Sequence, residues 1–214
     1  MDSRIEYWNS EASKFDTIYY EDGRVKGWLN RLLRIDMEGR YIFTLNSANL
    51  DSRPHILEIG CGTGVHSRGF LENGASTVTG VDFSSEMLKI AAARLKEYEG
   101  SIKLVEGDFM KLEFGHEFDV VTALGVFDYI ADPQSFMKKA MSLTNRYFIA
   151  SFPRSGTLRS YIRSIRLGLR GCPVYFYSEA QLRSMASECG AVIEKYEIIG
   201  QLHCMVFAPK GTPN

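Results

Sequence analysis

The chain has few cysteines, no long apolar run and no excess of charge of one sign. Its four cysteines are scattered, and no two of them form a C-x-x-C pair. This pattern argues against a structural zinc site and indicates a reducing compartment. No segment approaches the roughly 20 apolar residues that span a bilayer, and the charged N-terminus lacks the apolar core of a secretory signal. We therefore expect a cytoplasmic protein with no transmembrane segment.

Charge and length limit the class of protein further. The sequence has 25 Lys and Arg against 26 Asp and Glu, so its formal net charge is −1. That balance gives no electrostatic reason to expect DNA as a partner. A chain of 214 residues is long enough for one well-buried domain and short for two. We predict a single domain over residues 1–214.

Two kinds of hydrophobic pattern divide the chain. Residues 4–49 have helical spacing with a break at Glu21–Gly23, and from Pro54 short β-rich runs alternate with amphipathic segments. The predicted strands are 55–59, 77–81, 102–106, 118–124, 147–152, 191–199 and 202–208. The predicted helices after Pro54 are 65–73, 84–97, 133–142, 155–169 and 178–189, and Ser84 and Ser178 mark two of their starts.

This alternation predicts an α/β fold, a Rossmann-like, doubly wound sheet of seven strands with helices on both faces. The last two strands are joined only by Gly200 and Gln201. That link is too short for a crossover, so these strands should form a C-terminal antiparallel hairpin. In such sheets a ligand binds outside the carboxyl ends of the strands, at the topological switch point.

The first predicted strand leads into a glycine turn, in ILEIGCGTGVHS (56–67). Gly60, Gly62 and Gly64 allow a sharp turn and a close approach of a ligand to the backbone. Two acids follow at the ends of the next two predicted strands. Asp82 is suited to the hydroxyls of a ribose, and Asp108 could accept from the exocyclic amine of an adenine.

Phe83 and Phe109 follow these acids and could flank a purine ring, which predicts a nucleoside-containing cofactor. The dinucleotide fingerprint G-x-G-x-x-G would need a third glycine at position 65, where the chain has Val65. Glu58 would repel a pyrophosphate in the turn and would favour an ammonium group. S-adenosylmethionine combines an adenosine with an ammonium group and has no phosphate, so we favour it over NAD.

Four segments resemble the ordered motifs of class I S-adenosylmethionine-dependent methyltransferases. They are EIGCGTG (58–64), GVD (80–82), GDF (107–109) and FDVVTALGVFDYI (118–130), and the resemblance covers residues 54 to about 208. It implies that residues 1–50 form a helical lid over a core at 54–208. The cofactor-binding residues that it implies are Glu58, Gly60, Cys61, Gly62, Gly64, Asp82, Phe83, Met87, Asp108, Phe109, Leu124, Gly125 and Phe127.

Within this implied site the acid and glycines of the turn line the methionine part, Asp82 binds the ribose, and Asp108 with the Phe109 backbone binds the adenine. The residues from Leu124 to Phe127 form the floor near the sulfonium. The family has no universal catalytic base, and the N/D-P-P-Y/F motif of base- and amide-directed enzymes is missing. The candidates for contacting the acceptor or handling its proton are Tyr129, Asp128, Tyr19 and His203. Ser151 and Phe152 supply no carboxylate after the fifth strand, so we expect no metal.

A basic segment follows the fifth predicted strand. From Pro133 to Ser178 the chain has no Asp or Glu, and Arg159, Arg163 and Arg166 recur on one face of a predicted helix. One interpretation is that these arginines form a solvent-exposed helix face with no specific ligand. The other is a basic helical insertion at about 154–177 that binds an anionic substrate or contacts a lipid surface. Tyr175 and Tyr177 could wall the acceptor pocket, and this block also loosely resembles that of magnesium-protoporphyrin O-methyltransferases.

The function predicted from the sequence is methyl transfer from S-adenosylmethionine to a small-molecule acceptor, and oxygen is chosen as the acceptor atom on base rates. One alternative is a non-catalytic S-adenosylmethionine-binding regulatory module. Another is an RNA methyltransferase that uses the basic helix, which the overall charge disfavours. The sequence leaves the oligomeric state open between a monomer and a homodimer.

Overall fold

The computed structural model describes residues 27–156 and 174–211. Its strands are β1 His55–Ile59, β2 Thr77–Asp82, β3 Ile102–Glu106, β4 Phe118–Leu124, β5 Thr144–Pro153, β6 Ala191–Ile199 and β7 Leu202–Pro209. Its α-helices are α1 Gly27–Ser47, α2 Val65–Glu72, α3 Ser85–Arg94, α4 Pro133–Ser142 and α5 Glu179–Glu188. Short 3₁₀-helices lie at Leu50–Ser52, Lys96–Tyr98 and Phe127–Tyr129.

The strands form one sheet in the order β3-β2-β1-β4-β5-β7-β6. β1 to β5 are parallel where they pair, and β7 is antiparallel to both β5 and β6. The chain order reverses between β1 and β4, whose last residues lie beside one another because Ile59 pairs with Ala123. The prediction of a doubly wound sheet with a C-terminal antiparallel hairpin is confirmed.

Alternation along β1 divides the core between the two faces of the sheet. Leu57 and Ile59 belong to the hydrophobic cluster beneath α4 and α5, whereas Ile56 belongs to the cluster with Phe43 of α1 and Phe70 of α2. Glu58 therefore shares the face of α1 and α2, because side chains two apart in a strand lie on one face. This placement brings a carboxyl group under two helices.

After Pro54 the structure differs from the predicted boundaries by more than one residue in two places. β5 begins at Thr144 rather than at 147, since Thr144 pairs with Phe118 before a bulge, and the polar residues there hid the strand in the sequence. α3 ends at Arg94, three residues earlier than predicted, and passes into a 3₁₀-helix. Both predicted serine caps are confirmed: Ser84 Oγ accepts from the N–H of Met87, and Ser178 forms a capping box with Gln181.

Several predictions concern residues outside the described ranges. They are Tyr19, the helix break at Glu21–Gly23, most of the predicted helix 155–169, and Arg159, Arg163 and Arg166. Within residues 27–156 and 174–211, no helix combines the length and apolar character needed to cross a membrane.

Candidate cofactor site

The glycine turn after β1 is hydrogen-bonded to the end of β2. The N–H groups of Gly60 and Cys61 both donate to the carbonyl of Val81, at 2.8 and 3.0 Å. Gly60, Gly62 and Gly64 all have positive φ, at +71°, +53° and +77°. An L-residue in this conformation costs about 1–2 kcal/mol. The sequence motif therefore reflects a backbone that only glycine adopts without strain.

The space around the three glycines differs. A Cβ on Gly60 would lie 2.5 Å from Cγ2 of Val126, and one on Gly64 would lie 2.9 Å from Cδ1 of Leu95. A Cβ on Gly62 would meet no atom of the described chain within 4 Å. Gly60 and Gly64 are thus required by packing inside the protein, whereas Gly62 borders open space where a ligand could approach the backbone.

Asp82, the predicted ribose ligand, holds the same turn. Its Oδ2 accepts from the N–H of Gly62 at 2.9 Å, and its Oδ1 accepts from the N–H of Ser84 at 2.9 Å. Burial raises the pKa of Asp82, and these two hydrogen bonds oppose that rise. The side chain is half-buried, so its carboxylate joins β1 to the start of α3 while part of it stays accessible.

At the end of β3 the structure separates the roles of two neighbouring residues. Asp108 is exposed, and its Oδ1 accepts from the N–H of Met110 at 3.0 Å. The Phe109 ring is buried in the core, with its centroid 5.0 Å from that of Phe136. The ring therefore packs inside the protein instead of flanking a purine, which leaves the Phe109 backbone as the group that can face a nucleoside.

Glu58 is enclosed beneath α2. It is only 2% exposed, it accepts a hydrogen bond from Oγ of Ser67, and its Oε1 lies 3.9 Å from Nδ1 of His66. Burial raises the pKa of Glu58 to about 8, against the opposing effect of the Ser67 hydrogen bond. The carboxyl group is therefore mainly protonated near neutral pH, and this burial does not favour an ionised Glu58 that attracts an ammonium group.

His66 completes this buried group. Burial, followed by the positive charge of Arg40, lowers the pKa of His66 to about 3. Its ring lies against that of Tyr41, with 5.4 Å between centroids. His66 is thus a neutral packing residue. Glu58 contacts α2 through Ser67, and α2 begins directly after the glycine turn.

Arg40, on α1, also lies at the site, and no pattern in the sequence predicted it. Its side chain is 8% exposed, and a Cβ built on Gly125 would lie 2.9 Å from its Nη1. Burial raises the pKa of Glu58, and the positive charge of Arg40 opposes a small part of that rise. No local signal distinguishes one arginine in a helical segment, so only the packing of α1 on the sheet identifies it.

The floor predicted at the end of β4 lies at a turn that glycine makes without strain. Gly125 has φ +75°, and its N–H donates to Oγ of Ser151 at 3.0 Å. Leu124 is 8% exposed, whereas the Phe127 ring is fully buried, 4.3 Å from the Phe152 ring. Phe127 therefore supports the floor from below, and Leu124 and Gly125 remain the residues that can face the sulfonium.

Two predicted acceptor residues are brought to this turn by the segment after the insertion. The N–H of Tyr175 donates to the carbonyl of Asp128 at 2.8 Å, and Oη of Tyr177 donates to the carbonyl of Phe127 at 3.0 Å. Burial, then the nearby charge of Asp128, raises the pKa of Tyr177. Tyr175 and Tyr177 are therefore neighbours of Asp128 and Phe127, although the Tyr177–Phe127 pair is 50 residues apart in sequence.

His203 has a structural role in this arrangement. Its Nδ1 lies 2.8 Å from Oη of Tyr196, and its Nε2 lies 3.2 Å from the carbonyl of Tyr177. The side chain is 5% exposed, and burial lowers its pKa. Because both ring nitrogens have partners within the fold, the geometry does not support the predicted proton-handling role.

The described residues thus place the glycine turn, Asp82 and Asp108 along the carboxyl ends of β1, β2 and β3, and Asp128 with the two tyrosines beyond β4. In these ranges no group of three or more His, Cys, Asp or Glu side chains could hold a metal ion. A glycine turn with acids beside it at the switch point of a parallel sheet is the arrangement in which α/β proteins bind nucleotide ligands.

Comparison with known proteins identifies the family. A family model described as a methyltransferase domain matches residues 56–146. The ubiquinone biosynthesis O-methyltransferase of Thiobacillus denitrificans is 30% identical over 162 residues, which cover 69% of this chain and 68% of that protein. That of Nitrosospira multiformis is 29% identical over 159 residues, which cover 68% and 64%. The chain belongs to the class I S-adenosylmethionine-dependent methyltransferases.

Solved structures agree on the fold. The magnesium protoporphyrin IX methyltransferase of Synechocystis PCC 6803, crystallised with S-adenosylhomocysteine, has a TM-score of 0.79 at 20% identity and covers 96% of this chain and 98% of its own. A Haloferax volcanii protein described as a putative methyltransferase, in complex with the Trm112 activator, has a TM-score of 0.75 at 14% identity and covers 98% of both chains. The predicted family, fold and cofactor are confirmed.

Proposed function

We propose that this enzyme transfers the methyl group of S-adenosylmethionine to an oxygen atom of a small-molecule acceptor. The observation that carries the proposal is the 30% identity to a protein named as an O-methyltransferase. The compact sheet and the near-zero net charge of −1 support a small molecule over a nucleic acid. Oxygen as the acceptor atom rests on the names of the relatives.

The chain offers a group for each part of the cofactor. The backbone at Gly62 borders the open space of the turn, and Asp82 could accept from the ribose hydroxyls. Asp108 and the Phe109 N–H would face the adenine. The guanidinium of Arg40, next to Gly125, would pair with the carboxylate of the methionine part, because Arg is the side chain best suited to a carboxylate.

The chemistry that the cofactor supplies is an activated methyl group on a sulfonium, which an oxygen nucleophile can attack in line. The protein then needs to hold the acceptor oxygen close and collinear, and such positioning can lower a barrier by several kcal/mol. Tyr129 and Tyr175 are half-buried at the end of β4 and would border the acceptor. Asp128 would take the proton that a hydroxyl acceptor loses as its oxygen bonds to carbon.

The proposed preference for an anionic acceptor rests on Arg159, Arg163 and Arg166, which lie outside the described residues. The structure describes both ends of the insertion that contains them. Arg154 and Tyr177 form an isolated bridge, and the N–H of Tyr177 donates to the carbonyl of Pro153 at 2.8 Å. The insertion therefore leaves and rejoins the fold beside the proposed acceptor site, which supports a role in acceptor recognition.

The test combines binding with turnover. Calorimetry with S-adenosylmethionine, S-adenosylhomocysteine and NAD should give binding of the two sulfur ligands and none of NAD. Tritium transfer from labelled S-adenosylmethionine should then label small phenols or carboxylates, with total RNA as a parallel substrate. Labelled RNA alone would favour the RNA methyltransferase alternative. Binding without transfer to any acceptor would favour a regulatory module.

A further inference from the structure

Arg94, the last residue of α3, contacts the glycine turn at Thr63, the residue after the one that Asp82 holds. Its Nη1 donates to the backbone carbonyl of Thr63 and to Oγ1 of Thr63, the latter at 2.8 Å. Thr63 is 2% exposed and lies between Gly62 and Gly64. A hydrogen bond from a cationic donor is stronger than a neutral one, so this contact restrains the residue that stands between two glycines of the turn.

The rest of α3 is arranged around the same turn. Asp82, two residues before the Ser84 cap, accepts from the N–H of Gly62. At the other end of the helix, a Cβ on Gly64 would lie 3.2 Å from Cβ of Ala91. The turn is therefore held by Asp82 just before α3 and packs against Ala91 near the end of this helix, where Arg94 supplies the charged contact.

We propose that Arg94 is a positioning residue for the cofactor, one that fixes the glycine turn by binding both acceptors of Thr63. This inference rests on the proposed cofactor site. Arg94 does not need to touch the cofactor. The turn closes through the N–H of Gly64, which donates to the carbonyl of Cys61 at 2.9 Å, and Arg94 fixes the Thr63 carbonyl within that closed turn.

Two consequences follow from this role. Loss of the Arg94 side chain should weaken ligands that contact the turn, and it should weaken most those that carry the methionine part, which the turn borders. 5′-Methylthioadenosine lacks the amino-acid end of that part. Its affinity should therefore depend less on Arg94 than the affinity of S-adenosylhomocysteine does.

The test is calorimetric titration of wild type, Arg94→Gln and Arg94→Lys with S-adenosylhomocysteine and 5′-methylthioadenosine, together with thermal unfolding of the free proteins. The expected result for Arg94→Gln is an increase in Kd for S-adenosylhomocysteine of about tenfold, equivalent to about 1.4 kcal/mol. A smaller increase is expected for 5′-methylthioadenosine, with partial rescue by lysine. Arg183→Gln is the matched control, since Arg183 is a helical arginine that pairs with Glu179 on the surface.

Each outcome separates the two proposals. If wild type does not bind S-adenosylhomocysteine, the proposed cofactor site itself fails. If wild type binds and Arg94→Gln binds equally well, or loses both ligands equally, the positioning role is overturned and the cofactor site stands. If Arg94→Gln unfolds at a lower temperature than wild type, a double-mutant cycle with Thr63→Val tests the contact. The effects of the two substitutions should be coupled if Arg94 donates to Thr63, and additive effects would contradict the contact.

Discussion

The buried carboxyl group of Glu58 should make the stability of the protein depend on pH in a direction opposite to that of a paired surface acid. Its pKa rises from 4.5 to about 8 on folding. The folded state therefore binds a proton more tightly than the unfolded state does. The stabilisation is complete below pH 4.5 and is lost as pH rises through the folded pKa near 8. We predict that Glu58→Gln, which has nearly the same shape and does not titrate, removes this dependence.

The size of this pH dependence of the unfolding free energy follows from the rise in the pKa of Glu58. Between pH 6 and 8 the unfolded carboxyl is ionised while the folded one is mostly protonated, so each pH unit costs wild type up to 1.36 kcal/mol. The total over this window is about 2 kcal/mol, since the folded group begins to ionise as pH approaches 8. His66 has the opposite sign, because its folded pKa is lowered to about 3. Its contribution is present above its unfolded pKa of 6.5 and is lost as pH falls toward 3.

The assay is urea unfolding followed by far-ultraviolet circular dichroism at pH 6, 7 and 8. The measured quantity is the difference in unfolding free energy between wild type and Glu58→Gln, in which the histidine contributions cancel. This difference should shift by about 2 kcal/mol in favour of the variant from pH 6 to 8. Glu72→Gln, at an exposed glutamate in the same region, should track wild type. A difference that stays constant across the window would refute the assignment of a protonated Glu58.

Three further changes test the cofactor site through the Kd for S-adenosylhomocysteine. Asp82→Ala should raise Kd tenfold or more, because the change removes both the proposed ribose acceptor and the acceptor that holds the turn. Gly62→Ala should cost about 1–2 kcal/mol of stability from its positive φ and should also weaken binding, since its Cβ would enter the open space. Lys139→Met should weaken binding moderately, because the Lys139 ammonium donates to two carbonyls of the loop after β3, at 2.6 and 3.2 Å.

Matched controls exist for these variants within the chain. Asp119→Ala removes a carboxylate that accepts from the His55 N–H at the other end of the sheet, and its Kd should equal that of wild type. Gly100→Ala adds a Cβ at φ +97° in open space away from the turn, so it should share the strain and keep the affinity. Lys138→Met replaces an exposed neighbour of Lys139. If a control loses affinity as its partner variant does, the effect is not specific to the site.

A Cβ added at Gly60 would act on the cofactor only indirectly. In the structure the first atom that such a Cβ meets belongs to Val126. A Gly60→Val variant would therefore displace the floor of the site before it met any ligand, and its loss of binding would be indirect. Gly62 is the position where added volume reports on the ligand itself.

The architecture could be predicted from the sequence because the features that define it depend on residues close together in the chain. Apolar runs, the serine caps of α3 and α5, and the Gly200–Gln201 link all depend on residues near one another in the chain. The glycine turn and the acids at 82 and 108 could be read for the same reason. Parallel strands bring their carboxyl ends to one edge, so position at a strand end implies position at the site.

Short-range periodicity and backbone sterics encode the order of strands and helices, the antiparallel hairpin, the glycine turn and the acids beside it. Which side chains become buried partners depends on tertiary packing. Arg40 lies beside Gly125, Arg94 binds Thr63, and Glu58 is enclosed with His66. Burial and contacts between distant segments set these pairings and the resulting pKa values, and no spacing in the chain encodes them.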